Sequence, residues 1–181
     1  KEAKYKKLLA DIKQTFTSEH SITIMLMCEF GYHFDRISND EITKVFEMIL
    51  RDLQLQHIKV FANAPYVALI NTSVWSVLPP PTQLLPCRCE GIRAQHLIVK
   101  DVETHITAQL WNSHIPTSCG KTPKQRFTCK QQCVRYMATK CHLYRDHHGI
   151  PAPWVIAGDL NMDRGSLMHE CQPFILPDTH C

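Results

Sequence analysis

Trp154-Val155-Ile156-Ala157-Gly158-Asp159-Leu160-Asn161-Met162-Asp163 is the stretch whose reading decides the fold. Trp154 to Ala157 is a short apolar run behind a proline-bounded loop, a pattern expected of a strand buried on both faces. Gly158 interrupts it, and Asp159, Asn161 and Asp163 follow at alternate positions. In extended geometry residues two apart share a face, so Asp159 and Asn161 are expected to project together from the strand's end. A carboxylate beside a carboxamide suits a hard cation, or a water steered toward a phosphorus atom. Taken alone, the same residues also describe an ordinary Asp/Asn-rich turn. Their company decides.

That company lies upstream. Gln95 to Val99 and His105 to Trp111 read as two strands, with Asp101 to Thr104 as the turn between them. The second strand closes on Asn112, His114 and Pro116, again polar at alternating positions. Nearer the start, Ser21 to Cys28 is an apolar, β-prone run closing on Glu29 and Gly31. Three strands ending in an acid, an imidazole and an Asp-x-Asn pair would set a phosphoryl-transfer toolkit at one rim. An acid after a strand is also commonly a solvated loop residue, and that reading of Glu29 stays open.

In this order the elements resemble the endonuclease/exonuclease/phosphatase superfamily, which includes deoxyribonuclease-like nucleases, abasic-site endonucleases, sphingomyelinases and inositol phosphatases. The family pattern has a strand ending in Glu, a strand ending in Asn-x-His, Arg and Gln on a helix, and a Gly-Asp-x-Asn strand. Here those positions are Glu29, then Asn112 and His114, then Arg126 and Gln131, then Asp159 with Asn161. The resemblance runs from about Leu8 to Asp163. It implies an α/β fold, a four-layer α/β/β/α sandwich with two central β-sheets. It also implies hydrolysis of a phosphodiester or phosphate ester with Mg²⁺, or alternatively Mn²⁺, held in part by Glu29. Asp159 and Asn161 would position the attacking water, His114 would hydrogen-bond or protonate a phosphate oxygen, and Asn112 and Arg126 would contact the substrate phosphate. Nucleic acid or another phosphodiester is the implied partner; no residue names which. Glu29, His114, Asp159 and Asn161 should then converge within the span of a metal and a bridging phosphate, on the order of 10 Å.

The departures from the pattern are equally specific. The family opens on a strand bearing a metal-site Asn, whereas this chain opens on a lysine-rich helical segment. The family also closes on an Asp-His pair in a late strand, and here about twenty residues follow Asn161. Asp178 and His180 come too early and are not assigned that role. The expectation is a single incomplete domain over residues 1–181, truncated at both ends and weak in catalysis as it stands.

At 181 residues with 44% hydrophobic composition, the chain is long enough for a real core. No apolar run approaches the roughly eighteen residues that suggest a membrane span. The net charge of +3 is uneven: Lys121, Lys124, Arg126, Lys130, Arg135, Lys140 and Arg145 follow one another without an acid. Such a face can attract polyanions or can simply be a solvated helix surface. It supports the alternative function, an inactive remnant that binds nucleic acid or protein through the 121–145 helix. Nine cysteines, odd in number and scattered, argue against a complete disulfide framework and favour an intracellular, reducing location. Cys119, Cys129, Cys133 and Cys141 with His142 invite a zinc-stapled module. Their near-helical spacing instead predicts core-facing or scattered thiols.

The remaining elements follow from periodicity and end signals. Lys4 to Phe16 repeats Leu8, Leu9, Ile12 and Phe16 at helical spacing. Ser38 or Asn39 should cap a helix whose buried stripe is Ile42, Val45, Phe46, Ile49, Leu50 and Leu53. His57 to Phe61, Tyr66 to Ile70 and Trp75 to Leu78 read as strands, and Pro79 to Glu90 as a loop. Thr122-Pro123 opens the basic helix, with Phe127, Val134, Met137, Ala138 and Cys141 inward.

Overall fold

The computed structural model describes residues 2–17, 22–28, 38–78, 93–115, 117, 121–144, 149 and 151–172. The chain divides into two compact units, Lys1–Val77 with Asp101–His105, and Leu78–Lys100 with Ile106–Cys181. Each is built around one sheet.

The first unit contains α1 (Glu2–Thr17), β1 (Ile24–Met27), α2 (Asn39–Asp52), β2 (Ile58–Asn63) and β3 (Tyr66–Asn71). Its strands lie in the order β1-β3-β2, every pairing antiparallel. β3 is the central strand, and Tyr66 to Ile70 are all buried, as a continuous apolar run in mid-sheet requires. Ser38 caps α2 in a capping box with Glu41, each satisfying the other's backbone N–H. Asn39 Oδ1 accepts from Ala64 N at 2.8 Å and so ties that helix start to the β2–β3 turn. Ile12, Phe16, Ile42, Phe46, Ile49 and Leu50 pack on Ile58, Val67 and Leu69. The expected α2 stripe holds except at Val45, which is 40% exposed.

The chain passes between the units along β4 (Trp75–Leu78). The second sheet has the order β4-β5-β6-β7, with β5 (Arg93–Asp101), β6 (Thr107–His114) and β7 (Trp154–Asp159). β5 and β6 form an antiparallel hairpin, closed by Asp101 Oδ1, which accepts from Glu103 N and Thr104 N. β6 and β7 run parallel, so a crossover is obligatory, and α3 (Pro123–Leu143) supplies it. Thr122 caps α3 with Pro123 in its first turn. Its inner face is Cys129, Cys133, Val134, Met137, Ala138 and Cys141; Phe127, expected inward, is 44% exposed. A short helix unforeseen in the sequence, α4 (Arg164–Cys171), follows and packs on α3. Asp163 caps it, accepting from Ser166 N at 2.9 Å, so the third member of the Asp/Asn series closes a helix rather than facing a ligand. No described helix is long and apolar enough to cross a membrane.

β7 corrects the expectation of a strand buried on both faces. It stands at the end of the strand order, and Val155 is 53% exposed. Trp154 and Ile156 alone pack inward, on the α3-facing side with Trp111. An apolar run of four residues does not by itself distinguish a central strand from an edge strand with one covered face.

Two polar groups are built into this unit's interior. Glu170 of α4, 2% exposed, accepts from Gln131 Nε2 at 2.7 Å and from Arg135 Nη2 at 2.7 Å. The clamp joins α4 to two successive turns of α3. His96 stacks on Trp111 with ring centroids 4.2 Å apart, and neither imidazole nitrogen has a hydrogen-bond partner. Burial pushes its pKa from 6.5 down to about 4, and the nearby Gln109 side chain offsets only part of that. The unfolded chain therefore binds more protons than the folded one between those values, so this contribution is complete above 6.5 and is lost as pH falls toward 4. Urea midpoints measured from pH 7 to 4 should fall more steeply for the wild type than for His96→Phe, which keeps the stack and removes the titration.

Candidate functional site

Parallel pairing sets the site. Asn112, Ser113 and His114 of β6 stand in register with Ala157, Gly158 and Asp159 of β7. His114 and Asp159 thus end adjacent strands at the same edge, roughly 4.7–4.9 Å apart between backbones. Being directly opposite, they share one face of the sheet. The C-terminal ends of parallel strands are where open α/β sheets gather ligand-binding groups.

Gly158 makes that register possible. Its φ is +122°, and a Cβ there would stand 1.9 Å from the Ser113 carbonyl oxygen. No side chain fits, so the glycine is a requirement of the close strand approach. Asp159 is exposed, and Asn161 N donates to its Oδ1 at 3.0 Å. That bond turns the backbone, and Asn161 takes a positive φ of 48°, which Asn tolerates better than most residues. The expected extended alternation through Asn161 is therefore wrong in its cause. A side-chain-closed turn, not a continuing strand, brings Asn161 back to the rim. Asn161 Nδ2 donates to the Ile115 carbonyl at 2.9 Å, joining the ends of β6 and β7 and leaving Oδ1 as the acceptor.

The other expected residues lie as follows. Asn112 is 1% exposed, one step below His114 on the same face, and its Nδ2 donates to Gln95 Oε1 at 3.4 Å. Arg126 is exposed in the first turn of α3. Gln131 is engaged with Glu170. Glu29 lies outside the described residues, as do Cys119, Asp178 and His180; of the four residues expected to converge, His114 and Asp159 stand in register at adjacent strand ends and Asn161 is hydrogen-bonded beside them.

The basic run is partly committed inward. Lys130 Nζ donates to the Asn161 carbonyl at 2.7 Å, Arg135 pairs with Glu170, and Lys140 lies 5.4 Å from the Tyr136 ring centre. Lys121, Lys124 and Arg126 remain exposed. The sequence places Lys130 in the basic run and Gln95 on a strand but marks neither as a site residue; a lysine in a basic helix carries no local mark of a rim contact. Cys133, Cys141 and Cys171 are buried free thiols, and burial pushes Cys141 up to about 12, an unreactive group at neutral pH. Cys129 is core-facing as expected but forms a disulfide, where a free thiol was anticipated. Among the described residues, no three His, Cys, Asp or Glu side chains stand together as a metal cluster.

No protein-family profile and no curated protein sequence matches the chain. Solved structures do. ANGEL2, a 2',3'-cyclic phosphatase in complex with adenosine-2',3'-vanadate, aligns at a TM-score of 0.63 and 14% identity over 91% of this chain and 46% of its own. A humanized D. rerio TDP2 aligns at 0.57 and 12%, over 89% of this chain and 61% of its own. D. rerio TDP2 complexed with a single strand DNA product aligns at 0.53 and 12%, over 90% and 56%. The chain thus spans between 46% and 61% of the length of these structures. TDP2 and ANGEL2 are members of the endonuclease/exonuclease/phosphatase superfamily, and the fold of this chain is the α/β sandwich fold of that superfamily.

The geometry at Gly158 yields a sharp test. Gly158→Ala must displace Ser113 or break the β6–β7 register, and it should destabilise the chain by about 2–4 kcal/mol, measured by urea denaturation.

Proposed function

We propose, taking the superfamily fold as the premise, that this chain carries the catalytic rim of a metal-dependent phosphoester hydrolase of the nuclease-like, phosphodiester-cleaving kind. One observation carries the reading: an imidazole and a carboxylate stand in register at the ends of two parallel strands, with a carboxamide turned back beside them. TDP2 and ANGEL2, whose structures hold a DNA product and an adenosine vanadate, support a phosphate ester as the substrate class.

The exposed Asp159 has Oδ1 occupied by the Asn161 amide, which fixes the carboxylate plane and leaves Oδ2 to accept a proton from an attacking water. Asn161 Oδ1, oriented through the bond from Nδ2 to Ile115, holds the same water from a second side. His114 meets the phosphate from the adjacent strand and donates to a non-bridging oxygen as charge develops there. Asn112 and Arg126 are assigned to the substrate phosphate. The oxygen donors of Asp159 and Asn161 suit a hard divalent cation better than zinc. Mg²⁺ or Mn²⁺ would be held by Glu29, and when bound would supply charge stabilisation at the phosphate and the leaving oxygen.

The alternative, a non-catalytic module that binds through α3, has Lys121, Lys124 and Arg126 as exposed cations at the start of that helix. The two readings separate in one assay set, run on single-stranded DNA, RNA, a 2',3'-cyclic nucleotide and a chromogenic phosphodiester. Turnover should require Mg²⁺ or Mn²⁺, stop with chelator, and fall about 10²–10⁴-fold in Asp159→Ala and in His114→Ala. Salt-sensitive DNA binding without any turnover would favour the non-catalytic module.

A further inference from the structure

Asn161 is held by three hydrogen bonds. Two belong to the strand ends themselves: its N–H to Asp159 Oδ1 and its Nδ2 to the Ile115 carbonyl. The third comes from another element, since Lys130 of α3 reaches the Asn161 carbonyl at 2.7 Å. We infer that Lys130 is a positioning residue for the rim, acting through the Asn161 backbone. The inference rests on the phosphoester reading of the site and deepens it.

The placement of the lysine argues against a solvated helix charge. Lys130 is half-buried and follows Cys129, which is 5% exposed. Three and four residues on are Cys133 and Val134, both buried, and these are the neighbours of position 130 on a helical surface. Its stem thus leaves α3 beside the packed face, and the ammonium ends on a carbonyl instead of in water. The bond is charge-assisted, at the short end of the range for such donors.

What it holds is a residue in an unfavourable backbone region. Asn161 at φ +48° orients its side chain and its amide together, so one rotation would disturb the Nδ2–Ile115 bond and the amide that fixes the Asp159 carboxylate. A cation on the outer carbonyl opposes that rotation without itself touching a substrate. Lys130 is thereby a determinant of how well Asp159 and Asn161 are aligned. Small misplacement of catalytic groups by a distant change can cost about 10²-fold in rate.

The test uses the whole chain and two independent readouts. In ¹H–¹⁵N spectra, Lys130→Met should shift the backbone and side-chain amide signals of Asn161 and speed their exchange, while the urea midpoint stays near that of the wild type. Lys130→Arg, which retains a cationic donor, should restore them. In the Mg²⁺ assay Lys130→Met should lower kcat by up to about 10²-fold with KM little changed, and Lys130→Arg should recover most of it. Asn161 signals unmoved in Lys130→Met would overturn the inference, whether or not the chain turns over. Full activity in Lys130→Met beside a dead Asp159→Ala would overturn it as well. A wild type without turnover would sink the phosphoester reading alone and leave the spectra to decide on Lys130. Lys130→Gln serves the same comparisons should the methionine variant not fold.

Discussion

The close backbone approach of Gly158 to Ser113 is the constraint on which the second unit's arrangement depends. It admits no Cβ on the β7 side, and so it sets the register in which His114 meets Asp159. A slip of one residue would send every β7 side chain to the opposite face. Asp159 would then point toward the α3-packed side and Ile156 away from it. Chemistry and packing are thus locked by one contact: the register that seats Trp154 and Ile156 among Trp111 and the α3 side chains also lifts the carboxylate to the rim.

Much of this was legible in the amino-acid order because short-range rules dictated it. Ser38 with Glu41 and Thr122 with Pro123 announce helix starts, since orphan N–H groups at a helix end need specific partners. The order of strand-end polar residues placed His114 and Asp159 together, because β6 and β7 must be parallel when a long helix joins them. What escaped was decided at longer range. Val155 and Phe127 are apolar residues whose exposure depends on which neighbours cover them. Lys130 contacts a carbonyl thirty-one residues away, and no local pattern encodes that distance. Asn161 reached its expected neighbourhood by a route the alternation did not describe, because a side-chain hydrogen bond to Asp159 competes with strand continuation.

The interior of the second unit is less apolar than its composition suggests. Gln109 spends its amide on the carbonyl of Cys141, stitching β6 to the last turn of α3, while its Oε1 is left without a partner. The ring nitrogens of His96 and the hydroxyl of Ser113 are likewise buried with unmet hydrogen-bonding capacity, each an unfavourable term relative to a satisfied site. These groups lie on the helix-covered side of the sheet, whereas Gln95 and Asn112 lie on the other, directly beneath the rim. Polar residues therefore flank β6 on both faces, and the strand that carries His114 is seated by directed bonds as well as by apolar contact.

The Glu170 clamp has a consequence for motion. Eight residues are too few to hold a helix in water without tertiary support, and α4 carries a glycine in its first turn. Its order is borrowed from α3 through the buried carboxylate gripped by Gln131 and Arg135 and through the packing of Leu167 and Cys171. Releasing that grip would leave a buried charge unmatched, so α4 separates from α3 all at once and not by gradual fraying. It is expected to open as a small cooperative unit, its amide-exchange protection resting on this ionic latch together with the packing of Leu167 and Cys171.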